Sequence, residues 1–353
     1  MTDSFQNQAA KEAEVIAAYR WVLGREPENA EKVAGHIDRN ATNTQVRLSF
    51  LRSPEFSRAL DRLGIISDRT QQAVSRVARV VNTERVLFIH IPKTAGSSLY
   101  QAFEAALPAD QLCPIRQNTL LTRPMIELGE HHTFFGHYDA RMIDLLPGTP
   151  CVLTMLRDPH ERLISLYRYL RAHTAERVKV ESLALADLAR QHNLKDFLVA
   201  ARRRAPATVD NTYVRTFGGA LPVRRWEDQA EHAWLSDQPA DPLVMLPAAR
   251  TTLDRCAAVG ILECLDDSIA VFNRALQERQ GWTLTLAQRT QVTDTLAASS
   301  TGFEAVIPRS DLQQEVDQAR DLLDELTTGD RQLYAIYRAQ LEQPPRTATP
   351  LDG

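Results

Sequence analysis

Lysine, arginine and small hydroxyl residues occur in two segments of this chain, in patterns that suit the binding of an anion. The first segment contains Lys93, Thr94, Ala95, Gly96, Ser97 and Ser98, and the second contains Arg157 and Ser165. Lysine supplies positive charge and hydroxyls supply hydrogen bonds, while an arginine can hold a phosphate through two parallel hydrogen bonds. Phosphate or a similar oxyanion is therefore the predicted ligand class of both segments.

A buried strand and a helix are predicted to position the first segment. The apolar run from Val86 to Ile91 is rich in β-branched residues, and Pro92 cannot continue a central strand. From Ser97 onward, apolar residues recur at helical spacing. Lys93 thus lies in a turn before a helix N-terminus, where the backbone N–H groups of the first helical turn point at a bound anion.

The second segment follows the same pattern. The run from Pro150 to Leu156 predicts a strand buried on both faces, and Arg157 stands at its end. Asp158 suits the N-cap of the next helix and Pro159 its first position. Ligands of open α/β sheets bind beyond the carboxyl ends of the strands. The predicted fold is therefore α/β, a P-loop-like doubly wound parallel sheet flanked by helices, with a small N-terminal all-helical module.

The loop at Lys93 differs from the common nucleotide-binding loop, in which a lysine follows the second glycine. Its order, Pro-Lys-Thr-Ala-Gly-Ser-Ser, resembles the 5′-phosphosulfate loop of sulfotransferases that use 3′-phosphoadenosine-5′-phosphosulfate, especially the carbohydrate 2-O-sulfotransferase-like branch. The pattern Arg-Asp-Pro-x-x-Arg-x-x-Ser-x-Tyr, which begins at Arg157, resembles the 3′-phosphate motif of the same enzymes. The likeness spans residues 85–342.

This resemblance implies an enzyme that moves a sulfuryl group from 3′-phosphoadenosine-5′-phosphosulfate to a hydroxyl of a glycan or related acceptor by in-line displacement, without a metal. Lys93 would stabilise the leaving oxygen. The implied donor contacts are Lys93, Thr94, Ala95, Gly96, Ser97, Ser98, Arg157 and Ser165. The acceptor itself has no signature that we can interpret.

The predicted catalytic base is His137. The step Gly136-His137 resembles the Gly-His step that carries the catalytic histidine of the family, and a neutral imidazole can accept a proton near pH 7. Glu104 is the alternative, since related branches use a glutamate, whereas His90 lies inside the strand run and suits a structural role.

Asn211 and Arg215 are further candidates for the donor or acceptor site. They lie in a segment, 210–219, that resembles part of the bacterial relatives, although Tyr213 departs from the usual pattern there. A purely structural turn is the alternative for this segment.

Two rival functions follow from the same residues. A P-loop-type kinase or nucleotide-binding enzyme would need a Gly-Lys step followed by a metal-binding Ser or Thr, and this loop has none. A non-catalytic glycan-binding or assembly protein would need none of the candidate catalytic residues, yet Lys93, His137, Arg157 and Ser165 all occur.

Composition narrows the class of protein. With 353 residues, 44% of them hydrophobic, the chain can bury a large core, and a net charge of −4 argues against a nucleic-acid partner. The four cysteines form no C-x-x-C pair, so we predict free thiols and no metal site. The N-terminus resembles no signal peptide, and no apolar run is long enough for a transmembrane segment, which predicts a cytoplasmic, bacterial-type enzyme.

The predicted domains are a helical module at 1–64, a linker helix at 65–84, the sulfotransferase domain at 85–342 and a disordered tail at 343–353. Two phrases, from Leu23 to Pro27 and from Phe50 to Phe56, resemble a small helical module of unknown function found in bacterial surface-glycan and secreted proteins. We predict docking or homo-oligomerisation through this module rather than chemistry.

Overall fold

The computed structural model describes residues 12–40, 42–51, 53–62, 84–117, 120, 131–146, 149–218, 241–286 and 302–342. The predicted disordered tail and nearly all of the predicted linker helix lie outside these residues. The domain boundaries proposed above therefore stay predictions.

Four parallel strands form one sheet. They are β1 (Val86–Ile89), β2 (Thr133–Gly136), β3 (Cys151–Leu156) and β4 (Ala258–Ile261), in the order β2-β1-β3-β4. β1 and β3 are fully buried, as is typical of strands of a parallel sheet that is covered on both faces. The α/β class with a parallel sheet flanked by helices is confirmed, whereas the finer likeness to P-loop domains stays a prediction.

Helices fill most of the remaining described chain. They are α1 (Glu12–Ala18), α2 (Ala30–Arg39), α3 (Asn43–Leu51), α4 (Pro54–Arg62), α5 (Gly96–Ala106), α6 (Arg141–Leu145), α7 (Pro159–Arg171), α8 (Ala175–Val180), α9 (Ala184–Gln191), α10 (Leu194–Arg204), α11 (Pro206–Val209), α12 (Thr212–Gly218), α13 (Pro242–Asp254), α14 (Leu265–Gln280), α15 (Gln313–Leu326) and α16 (Thr328–Glu342). A π-turn, Tyr19–Leu23, extends α1, and 3₁₀ turns at Leu262–Cys264 and Arg309–Leu312 precede α14 and α15. Among these elements, no helix combines the length and apolar character needed to cross a membrane.

The chain divides into two compact units. The first comprises Met1–Ile89, Leu107–Val152 and Leu221–Ala233, and the second comprises His90–Ala106, Leu153–Ala220 and Trp234–Gly353. The loop with Lys93, the helix α5, the residue Arg157 and the helix α7 all belong to the second unit. His137 belongs to the first.

In the first unit, α1 to α4 share an apolar core that includes Val15, Tyr19, Val46 and Phe50. The helical turn after α1 ends at Gly24, which has a φ of 68° and thus the left-handed conformation that glycine adopts most easily. In the same unit β1 and β2 pair in register, with Ile89 opposite Gly136.

In the second unit, α7, α10 and α15 pack around a core that includes Leu163, Tyr167, Phe197 and Leu323. β4 pairs with the second half of β3, and α14 and α16 pack against β4. This packing fixes α7, and α7 in turn carries most of the second segment that is predicted to bind an anion.

Candidate active site

The loop after β1 turns through left-handed backbone at two residues that are not glycine. Lys93 has a φ of 73° and Ala95 a φ of 63°, and such strained residues concentrate at functional sites. Between them, the buried Thr94 hydroxyl donates to the Ile91 carbonyl over 2.8 Å and closes the turn. The Leu99 N–H donates to the Ala95 carbonyl over 3.1 Å, so the helix begins directly after the turn.

The helix α5 begins at Gly96, one residue before the start that the sequence predicted, and His90 packs against this position. A Cβ atom at Gly96 would lie 1.9 Å from Nε2 of His90, so any side chain here would collide with the imidazole ring. His90 is 7% exposed. Its position under the turn agrees with the structural role proposed for it.

The first helical turn places two hydroxyl residues at the N-terminus of α5. Ser97 is exposed and Ser98 is partly exposed. The backbone N–H groups of a first helical turn have no partner within the helix and carry the positive end of its dipole. The loop therefore offers amides, hydroxyls and a lysine to an anion.

The second segment meets this loop directly. Arg157 follows β3, and its Nη1 donates a hydrogen bond to the backbone carbonyl of Lys93 over 3.3 Å. Tyr213 fixes the backbone of Arg157 from the other side, since its hydroxyl accepts from the Arg157 N–H over 3.2 Å and donates to the Arg157 carbonyl over 2.7 Å. The two predicted anion-binding segments are thus brought together.

The helix α7 starts as its sequence predicts. Asp158 is the N-cap, with its carboxylate accepting from the Glu161 N–H over 3.0 Å, and Pro159 occupies the first turn. Ser165 lies two turns along this helix and is 4% exposed. Arg162 is fully buried, and its Nη2 donates to the Thr212 hydroxyl over 2.7 Å.

The ammonium of Lys93 lies in a desolvated, cationic environment. Its nitrogen is 4.1 Å from the centroid of the Tyr169 ring. Burial lowers the pKa of Lys93 from 10.5 to about 8, and the charges of Arg157 and Arg168 add to this effect. The positive charges of Arg157 and Arg168 therefore act on the Lys93 ammonium, and such a cationic setting favours a bound oxyanion.

His137 follows β2 directly and is half-buried. Its backbone N–H donates to the Arg116 carbonyl over 2.7 Å, and it forms an isolated bridge with Gln117. Gly136 lies so close to Arg116 that a Cβ atom there would come within 2.4 Å of the Arg116 carbonyl oxygen. The Gly-His step is thus extended backbone that packs closely against the segment of Arg116 and Gln117, which fixes the position of the histidine at the end of the strand. Glu104, the alternative base, is exposed on α5.

Asn211 and Arg215 are both buried and take part in contacts within the protein. Asn211, with a φ of 48°, accepts from the Gly329 N–H over 2.7 Å and donates to Asp210 over 2.8 Å. Arg215 donates to the Asp210 carbonyl over 2.7 Å. These contacts join α12 to the start of α16, and a role for the two residues in ligand binding stays a prediction.

Sequence reasoning missed Tyr169 and Arg168 as neighbours of Lys93. Tyr169 lies four residues after Ser165, on the same face of α7, so the helical period was an available signal. Arg168 donates through Nε to the Ile307 carbonyl over 2.7 Å, a contact with a distant segment that no local pattern indicates.

An open acidic depression of about 700 Å³ lies elsewhere in the second unit, lined by residues that include Asp158, Asp321, Asp324 and Arg331. Neither Lys93 nor Arg157 lines it. Within the described ranges, no group of three or more His, Cys, Asp or Glu side chains is arranged to hold a metal ion.

Comparisons with known protein families and with curated proteins found no match for this chain.

Proposed function

We propose that this protein is a sulfotransferase that uses 3′-phosphoadenosine-5′-phosphosulfate as donor and a hydroxyl group, of a carbohydrate or related compound, as acceptor. The observation that carries the proposal is the hydrogen bond from Arg157 to the Lys93 carbonyl. A donor with anionic groups at both its 5′ and its 3′ position needs two anion-binding segments at a short distance, and this contact joins the two segments that are predicted to bind anions.

The residues present suit the two ends of the donor. The 5′-phosphosulfate would lie against the turn from Lys93 to Ser98, where the start of α5 offers backbone N–H groups and hydroxyls. The 3′-phosphate would bind Arg157, whose planar guanidinium matches a phosphate, and Ser165 would add a hydroxyl. The lowered pKa of Lys93 supports this assignment, because a bound dianion would restore the charged ammonium that burial disfavours.

The proposed reaction is an in-line displacement at sulfur. The acceptor oxygen forms a bond to sulfur while the bond from sulfur to the bridging oxygen breaks, and adenosine 3′,5′-bisphosphate leaves. Negative charge develops on the bridging oxygen, and the Lys93 ammonium would stabilise it there. Positioning and charge stabilisation supply most of the acceleration in the analogous transfer of phosphoryl groups.

His137 is the proposed base for the proton of the acceptor hydroxyl. The assignment is supported by its place directly after β2 and by the close packing of the Gly136 backbone against Arg116. General base catalysis of this kind contributes about 10²- to 10⁴-fold to a rate.

A transfer assay tests the proposal. The protein is incubated with donor labelled in its sulfuryl group and with pools of glycans, lipid-linked glycans and small alcohols. We expect label in one class of acceptor, and no label when Lys93→Met replaces the wild type. Label transfer at an equal rate by both proteins, or phosphate transfer from labelled ATP in place of sulfuryl transfer, would contradict the proposal.

A further inference from the structure

Tyr169 lies under the side chain that the proposed reaction needs most. The Lys93 nitrogen is 4.1 Å from the ring centroid of Tyr169, well inside the range of about 6 Å over which an aromatic face attracts a cation. Tyr169 belongs to α7, the helix that begins directly after Arg157 and Asp158. The lysine, the arginine and this ring are therefore positioned by one helix and one turn.

The positive charges of two arginines near Lys93 repel its ammonium. Arg157 and Arg168 both lower the pKa of Lys93, and burial lowers it further. The face of an aromatic ring has a negative electrostatic potential and attracts an ammonium in this position. A tyrosine supplies this attraction without adding a formal negative charge. A carboxylate in the same place would compete with the anionic donor, whereas a ring does not.

The Tyr169 ring is itself held in place by two other rings. It meets His173 edge to face at 4.9 Å and lies 5.7 Å from Phe303, while His173 and Phe303 are 4.6 Å apart. His173 is 3% exposed, and its Nδ1 lies 3.1 Å from the Tyr169 carbonyl, which can only accept a hydrogen bond. The three rings therefore limit the rotation of Tyr169.

Phe303 is fixed because the segment 302–309 runs antiparallel beside α7. Hydrogen bonds and an ion pair attach this segment at both ends and in the middle. They join Gly302 to Thr174, Glu304 to Ala172, Ile307 to Arg168 and Arg309 to Glu161, at distances of 3.0, 2.7, 2.7 and 3.1 Å. A residue more than a hundred positions along the chain thus supports the ring under Lys93.

We infer that Tyr169 is a positioning residue for Lys93: its ring holds the ammonium in the ligand-free protein at the place where the donor later supplies an anion. The inference rests on the proposed function only in naming that anion as the phosphosulfate. The loop backbone is fixed independently by Thr94 and Arg157, so a change at Tyr169 should alter the state of the Lys93 side chain rather than the turn.

The pKa of Lys93 in the ligand-free protein tests this inference. The chain has five lysines, Lys11, Lys32, Lys93, Lys179 and Lys195. Reductive methylation with ¹³C-formaldehyde gives each a resolvable dimethylamine signal that titrates in NMR spectra, and Lys93→Arg assigns the signal of Lys93. The variants are Tyr169→Leu, which keeps an apolar cover but removes the π-system, and Tyr169→Phe, which keeps the ring.

In Tyr169→Leu we expect the pKa of Lys93 to fall by roughly half to one and a half units, since the charged form loses its attraction to the ring. In Tyr169→Phe the pKa should not change. An unchanged pKa in Tyr169→Leu would overturn the inference, and so would an equal fall in Tyr169→Phe. If Tyr169→Leu does not fold, Tyr169→Met carries the same expectation.

The titration of Lys93 and the test of the proposed function can fail independently of each other. The titration uses ligand-free protein, so a protein that fails to bind adenosine 3′,5′-bisphosphate refutes the proposed donor and leaves the ring contact standing. Conversely, donor binding with an unchanged Lys93 pKa in Tyr169→Leu refutes the positioning role alone.

Discussion

The guanidinium of Arg157 donates a hydrogen bond to the main-chain carbonyl of Lys93 over 3.3 Å. The residue that follows β3 thereby holds the turn that follows β1, at the position where that turn enters left-handed backbone. One arginine thus has two proposed tasks, to bind a phosphate and to fix the lysine loop, and these tasks need different parts of its side chain.

Arg157→Lys should weaken the binding of the donor. A lysine keeps the charge but loses the planar pair of donors and cannot bind both a phosphate and a carbonyl in the same geometry. We expect the affinity for adenosine 3′,5′-bisphosphate to fall roughly 10- to 100-fold, as for the loss of one or two hydrogen bonds to a charged group. Isothermal titration calorimetry measures this, with Arg203→Lys on the exposed surface of α10 as the control. An unchanged affinity would remove Arg157 from the donor site.

Lys93→Met should stabilise the ligand-free protein while abolishing sulfuryl transfer. The pKa of Lys93 is lowered to about 8 in the folded protein. Below pH 8 the charged ammonium is therefore less favourable in the folded protein than in the unfolded chain, which lowers the free energy of unfolding of the wild type. We expect the free energy of unfolding at pH 7 to rise by about 1–3 kcal/mol in the variant.

The lowered pKa of Lys93 also determines how the stability of the wild type changes with pH. Between pH 8 and 10.5 the folded wild type has released the proton that the unfolded chain still binds, so its stability rises with pH in that window. The difference in the free energy of unfolding between Lys93→Met and the wild type, measured by urea unfolding, should therefore become smaller from pH 8 to pH 10.5. A variant less stable than the wild type at pH 7 would contradict the buried, cationic setting of Lys93.

His137→Gln should lose transfer and keep donor binding. Glutamine cannot act as a base near neutral pH, so we expect the rate to fall by about 10²- to 10⁴-fold with an unchanged affinity for the bisphosphate. The backbone contact of residue 137 with Arg116 does not depend on the side chain. His131→Gln serves as the control. A normal rate for His137→Gln would return the assignment of the base to Glu104 or His90.

We predict that Asp330 stabilises the second unit through the hydrogen bonds that its side chain accepts more than through its negative charge. The side chain is fully buried, and Oδ1 accepts from the N–H groups of Tyr213 and Val214 at 2.9 and 3.0 Å, at the start of α12. Asp330→Ala removes this acceptor, whereas Asp330→Asn keeps it. We expect the alanine variant to be less stable than the asparagine variant by about 1–3 kcal/mol in urea unfolding.

Burial raises the pKa of Asp330 to about 7, which fixes the sign of its dependence on pH. Between about pH 4 and 7 the folded protein holds a proton that the unfolded chain has released, so this carboxyl lowers stability as the pH rises. The stability of the wild type relative to Asp330→Asn should therefore fall across that window. A relative stability that rises with pH would show that the charged form is favoured.

The parts of the site that follow from local sequence signals were predictable. The apolar runs before Lys93 and Arg157 gave two buried strands, and Asp158 and Pro159 marked the start of α7 as the structure has it. Such signals act within one turn of a helix or one strand, where neighbouring residues decide the conformation. Local signals fix the ends of helices only to within one or two residues, and α5 begins at Gly96 where Ser97 was predicted.

The contacts that depend on distant residues were not predictable. For Asn211 and Arg215, the structure shows hydrogen bonds from Gly329 to Asn211 and from Arg215 to Asp210, and their role in ligand binding stays a prediction. The helical period places Tyr169 on the same face of α7 as Ser165, but it does not indicate that Lys93, in another segment, lies against the ring. Tertiary packing decides which polar groups face a ligand and which face the protein itself.

The central claim is that the loop of Lys93 and the segment with Arg157 and Ser165 bind one donor that is anionic at its 5′ and 3′ positions. Calorimetric titration with adenosine 3′,5′-bisphosphate and, separately, with ATP tests it most directly, because the two ligands share the nucleoside and differ in where their phosphates lie. We predict that the bisphosphate binds more tightly by about tenfold or more. Tighter binding of ATP would contradict the proposal and favour a kinase or nucleotidase.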